Sequence, residues 1–131
     1  MIRPSTERRL LQVLVVVFGF VPVLAGLAGI VLGPSMAGLP PSDTPVALDS
    51  HMRYLSGLLL AIGIGFWSTV PRIKRQAVRF RLLTAIVVIG GLGRLIGLLA
   101  IGVPPPSMLF GLAMELVVTP GLCWWQYRIA E

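Results

Sequence analysis

LLTAIVVIGGLGRLIGLLAIG, residues 82–102, is 21 residues long and carries one charge, Arg94. At ~1.5 Å of rise per residue, a helix of this length matches a hydrocarbon core ~30 Å thick. The stretch is apolar throughout and does not alternate, so it reads as a membrane-spanning helix and not as a barrel strand. Three more stretches of the same kind flank it. Residues 10–32 form a charge-free run of 23, and residues 54–70 a run of 17 that grows to 22 if its helix begins at Asp49. Residues 108–125 make a run of 18 with one charge, Glu115.

Composition agrees. Of 131 residues, 56% are hydrophobic and 12% charged, and the mean hydropathy is +0.90, far above that of a soluble domain. Disorder, collagen and long coiled coils are excluded by this apolar content and the lack of heptads. One cysteine, Cys123, and one histidine, His51, exclude a disulfide framework, a cysteine-based metal cluster, bis-histidine haem and multi-histidine zinc. No cofactor or metal is expected. The sequence predicts an all-α integral membrane four-helix bundle, one domain over residues 1–131, with helices near 10–32, 49–70, 82–102 and 108–126.

The net charge of +6 would suit nucleic acid, but its distribution points elsewhere. Arg3, Arg8 and Arg9 precede the first run; Arg72, Lys74, Arg75, Arg79 and Arg81 join the second to the third; Arg128 follows the fourth. The other two connections, residues 33–50 and 103–107, carry no Lys or Arg. By the positive-inside rule both termini and the basic loop are expected in the cytoplasm, with Trp124, Trp125 and Tyr127 at the cytoplasmic interface. The basic loop then faces anionic lipid head groups, and no nucleic-acid partner is expected. Arg8-Arg9 before an apolar run resembles a secretory leader, but the run exceeds the usual ~7–15 residues of such a segment, and retention is expected. Residues 33–45, rich in Pro, Gly and Ser, read as an outer loop. Pro104-Pro105-Pro106 implies a tight hairpin with antiparallel neighbours on either side.

Gly29 with Gly33, and Gly93 with Gly97, are small-xxx-small pairs that favour close helix approach, inside the bundle first and across a homodimer or larger complex second. Gly90-Gly91-Leu92-Gly93 invites a dinucleotide-binding reading, but the spacing is off by one and no strand precedes it. Pro120 has no N–H for the carbonyl of Leu116 and predicts a kink beside Glu115; Pro22 does the same in the first run.

Arg94 lies eight residues before Gly102, hence ~12 Å below the outer boundary, and Glu115 seven residues into the returning helix, hence ~10 Å below it. A charge at this depth costs ~2.5–3.5 kcal/mol or more unless paired. An Arg94–Glu115 ion pair facing the bundle interior is therefore expected. At the start of the second helix, Asp49 or Ser50 suits an N-cap, and Asp49 with Arg53 are spaced to pair along one face. His51 is left as the group free to titrate near neutrality. Two readings of these charges compete. They fix helix register and nothing more, or His51, Arg53, Tyr54, Arg94 and Glu115 line a polar pocket in the outer half that binds a lipid-like or amphipathic ligand.

Ser50-His51-Met52-Arg53-Tyr54-Leu55-Ser56-Gly57, Gly90-Gly91-Leu92-Gly93-Arg94-Leu95, Pro104-Pro105, Glu115-Leu116 and Trp124-Trp125-Gln126 together resemble a bacterial family of small four-helix inner-membrane proteins known as a domain of unknown function. The resemblance covers nearly the whole chain. It implies the fold and a bacterial inner (plasma) membrane setting, with an architecture similar to DoxX-like proteins and, more remotely, to the EXPERA bundles that include sterol isomerases. It implies no activity. The leading expectation is a non-enzymatic membrane protein that binds such a ligand or serves as an accessory subunit. The alternative is a membrane enzyme, such as an isoprenoid-lipid isomerase using His51 or Glu115. A channel or transporter fits less well, because few polar groups reach the cytoplasmic half.

Overall fold

The computed structural model describes residues 3–130, and among them every regular element is helical. Helix α1 is Pro4–Leu32, α2 Val46–Thr69, α3 Ala77–Ala100, α4 Pro106–Ala113 and α5 Thr119–Ala130. A π turn, Met114–Val118, links α4 to α5, while short 3-10 turns cover Gly33–Ala37, Pro41–Asp43 and Val70–Arg75. With these turns included, four helices are long and apolar enough to cross a membrane: Pro4–Ala37, Val46–Arg75, Ala77–Ala100 and Pro106–Ala130.

The helices outrun the apolar stretches that announce them. α1 takes in Arg8 and Arg9, and α3 takes in Arg79 and Arg81, all exposed; long charged side chains extend beyond a helix end at little cost. α2 begins at Val46, so neither Asp49 nor Ser50 is its N-cap. The Asp49 N–H donates to the Pro45 carbonyl at 3.1 Å, already a helical bond. Asp49 instead lies within the first turn, where a carboxylate meets the positive end of the helix dipole.

The chain divides into two compact units, residues 14–68 and residues 1–13 with 69–131. In the first, α1 and α2 run antiparallel. Gly19 lies against Trp67, Gly26 against Leu60, Gly29 against Ser56, and Gly33 against Arg53 and Asp49, so the partner on α2 steps back as α1 advances. A Cβ at Gly26 would stand 2.6 Å from the Leu60 nitrogen, so only glycine lets the backbones approach this closely. Trp67 donates from Nε1 to the Val16 carbonyl at 3.1 Å and meets the Phe20 ring edge-on at 4.9 Å. Pro22, inside an unbroken α1, packs on Gly63.

In the second unit α3 lies antiparallel to the run from α4 through the π turn to α5. Gly91 faces Glu115 and Leu116, and the Arg81 guanidinium sits 5.0 Å above the Tyr127 ring. The reversal between them uses Gly102, at φ 139, followed by Val103 and two prolines. A side chain is strained at that φ, so glycine is suited to the position. At the other end of the unit, Leu11, Ile73 and Phe80 are almost wholly buried. Two amides fasten the Val70–Arg75 turn there: Gln12 Nε2 donates to the Val70 carbonyl at 2.7 Å, and Gln126 Nε2 to the Ile73 carbonyl at 2.8 Å.

Candidate functional site

Arg94 and Glu115 meet through two parallel hydrogen bonds, Nε to Oε2 at 3.1 Å and Nη2 to Oε1 at 3.0 Å. This fork-on-fork geometry is the strong form of the arginine–carboxylate contact. The two side chains thus stand at the same level along the hairpin, as counting residues from its turn predicts. Two local features allow it. A Cβ at Gly91 would stand 2.8 Å from the Glu115 Cβ, so glycine at that position lets α3 settle on the fourth helical run. Gly111, whose Cβ would lie 3.9 Å from the Arg94 guanidinium, leaves room for it one turn before Glu115.

Glu115 lies within the π turn. The departure from α geometry that Pro120 predicts takes this form: the helix widens by one residue just before the proline. The Thr119 N–H bonds to the Met114 carbonyl, five residues back, and the Thr119 hydroxyl donates to the same carbonyl at 2.7 Å. Single π turns often mark functional positions in helices. The sequence signals where the irregularity falls but not its kind.

Among the described residues the arginine retains unused donors. Its guanidinium has five N–H groups, and Glu115 takes two of them. The Arg94 side chain is 36% exposed and that of Glu115 17%. Arg94 borders an open groove of about 440 Å³, whose other walls are Gly97, Leu98, Ile101, Gly102, Val103 and Pro104. A Cβ at Gly97 or Gly93 would meet nothing within 4 Å. The small-xxx-small pair of α3 therefore presents open surface, whereas Gly29 and Gly33 pack inside their unit.

The remaining residues singled out from sequence belong to the 14–68 unit. Arg53 Nε bonds Asp49 Oδ2 at 2.9 Å, the i, i+4 pair expected. Arg53 Nη1 donates to the carbonyls of Ile30 and Val31, and the Ser35 hydroxyl to that of Leu32 at 2.6 Å. Together they satisfy carbonyls that the end of α1 leaves without helical partners. His51 and Tyr54 are exposed on α2, with no hydrogen-bond partner among the described residues. A smaller hollow of about 200 Å³ lies beside Arg53 and Asp49, under Pro34, Leu39 and Pro41. The structure thus groups Arg94 with Glu115 and, separately, Arg53 with Asp49. Among the described residues no cluster of His, Cys, Asp or Glu could hold a metal ion.

Sequence reasoning missed Glu7, whose carboxylate accepts from Trp125 Nε1 at 3.0 Å and from Arg128 at 3.1 Å. It also missed Gln12 and Gln126. For Gln12 the available signal was a lone polar residue inside an otherwise apolar stretch, since such a group requires a partner.

No curated protein and no solved structure matches the chain. The family model for a domain of unknown function (DUF4345) matches residues 10–126. With nearly its whole length covered, the chain belongs to the DUF4345 family.

Proposed function

We propose that this is a non-enzymatic integral protein of the bacterial inner membrane. It crosses the bilayer four times with both termini cytoplasmic, and its Arg94 groove holds the head of a lipid-like, amphipathic ligand. The observation that carries the membrane reading is uncovered apolar surface. The most apolar stretches of the four long helices are only 28, 17, 11 and 6% buried, and Ile101 and Val103 are 91% and 79% exposed. Soluble monomers rarely expose contiguous apolar patches beyond a few hundred Å²; in lipid no such limit applies.

The ligand reading rests on Arg94. The pair with Glu115 removes the penalty of a bare charge in hydrocarbon, while the spare N–H donors point to an oxygen-rich head group as their acceptor. Gly97, Leu98 and Ile101 offer a smooth apolar wall for its tail. His51, Arg53 and Tyr54 are the further candidates on α2, with Arg53 chiefly committed to closing α1. Both oxygens of Glu115 already accept from Arg94, which suits a held ion pair better than a free general base for lipid isomerisation.

Carbonate extraction of membranes and native mass spectrometry of the protein in mild detergent test this together. The chain is expected to stay in the membrane pellet and to carry an amphipathic molecule. Gly97→Leu, which fills the groove and leaves the ion pair intact, is expected to abolish that adduct. Release by carbonate refutes the membrane reading; an unchanged adduct in Gly97→Leu refutes the groove.

A further inference from the structure

Nine of the eleven Lys and Arg residues lie in three short segments, residues 3–9, 72–81 and 128. The Glu7 contacts to Trp125 and Arg128 and the glutamine bonds to the Val70–Arg75 turn bring these segments to one end of the same unit. The one acid found there among the described residues, Glu7, is already paired with Arg128. Arg72, Lys74 and Arg75 are exposed and make no ion pair among the described residues.

Such a loop of like charges would ordinarily repel itself into an open, mobile conformation. Here it is fastened. Ile73 is 1% exposed and anchors its middle, Pro71 fixes its first turn, and Gln12 and Gln126 hold two of its carbonyls. Gln126 is fully buried and its Oε1 has no partner. The fold therefore leaves a buried acceptor unsatisfied, which is ordinarily unfavourable, while keeping the turn in place. General attraction to a negative surface would need only the charges. A fixed backbone adds a fixed arrangement of charges.

We propose that the Val70–Arg75 turn is a preformed site for the head group of an anionic phospholipid, with Arg72, Lys74 and Arg75 as its cations and Gln12 and Gln126 as positioning residues. The site rests on the membrane reading above and is separate from the Arg94 groove. A phosphodiester head is the complementary partner in charge, and it is the layer that basic residues flanking membrane spans encounter.

The test is a native mass spectrometry titration of the full chain in detergent with phosphatidylglycerol and with phosphatidylcholine of the same acyl chains. The wild type is expected to prefer phosphatidylglycerol at least tenfold. Arg72→Gln with Arg75→Gln is expected to remove that preference. Gln126→Leu keeps every charge and is expected to reduce it at least threefold; Gln12→Leu, at a half-buried position, serves if Gln126→Leu does not fold. Glycerophosphoglycerol, the phosphodiester head without its tails, is expected to displace little lipid. A wild-type preference in the arginine variant, or in a folded glutamine variant, overturns the proposal, as does full displacement by equimolar glycerophosphoglycerol. A chain that resists carbonate extraction yet shows no lipid preference refutes this site and leaves the membrane reading standing.

Discussion

Replacing Arg94 and Glu115 by glutamine, singly and together, measures what their pairing contributes and in what surroundings. At ~4 Å between charge centres the gross attraction is about 1 kcal/mol in water and about 4 kcal/mol at an effective dielectric constant of ~20. The guanidinium is 36% exposed and the carboxylate 17%. If that exposure were to water, screening would leave a coupling of about 0–1 kcal/mol, as for surface pairs. With the exposed part facing lipid, and allowing for desolvation, a coupling of about 2 kcal/mol is expected. Each single substitution should destabilise by about 2–3 kcal/mol, because the surviving charge is stranded. The double variant should lose about 2 kcal/mol less than the two singles combined. Unfolding by sodium dodecyl sulfate in dodecylmaltoside micelles, followed by tryptophan fluorescence, provides the four free energies. A coupling below about 0.5 kcal/mol, or one that vanishes when the ionic strength is raised from 0.05 to 0.5 M, would refute the argument, since only water-exposed pairs are screened so readily.

Two further outcomes use the same protein. Gly91→Ala should destabilise by about 1–3 kcal/mol through overpacking against Glu115 and Leu116, whereas Gly93→Ala, in open space, should be neutral or stabilising by up to about 1 kcal/mol; micelle unfolding of the pair checks both. Arg53→Gln should speed amide exchange several-fold across residues 30–38, because the carbonyls at the end of α1 lose their donor; unchanged protection by mass spectrometry would show that Ser35 and the 3-10 turn suffice.

What could be read from the residues follows from how few options each had. Charges in long apolar runs must find one another, so Arg94 and Glu115 were legible once the three prolines set the hairpin. Asp49 and Arg53 were legible from helical spacing alone. Helix ends were not, because apolar runs stop where charges begin while hydrogen bonding continues: α1 starts at Pro4 and α2 at Val46, inside segments that hydropathy leaves out. The partners of Gln12, Gln126 and Arg53 are backbone carbonyls, present at every position and therefore unmarked in the sequence. The two glycine pairs look alike as text, yet one is enclosed and the other open, and that difference arises only when neighbouring helices are in place.

The Arg94–Glu115 contact also bears on how the chain is made. Its two members are 21 residues apart, so at about 5–20 residues per second the arginine leaves the ribosome about 1–4 s before its carboxylate. On the membrane reading proposed above, α3 carries an unanswered cation during that interval and is poorly suited to lipid on its own. The last two spans are therefore expected to leave the translocon together, as a finished hairpin.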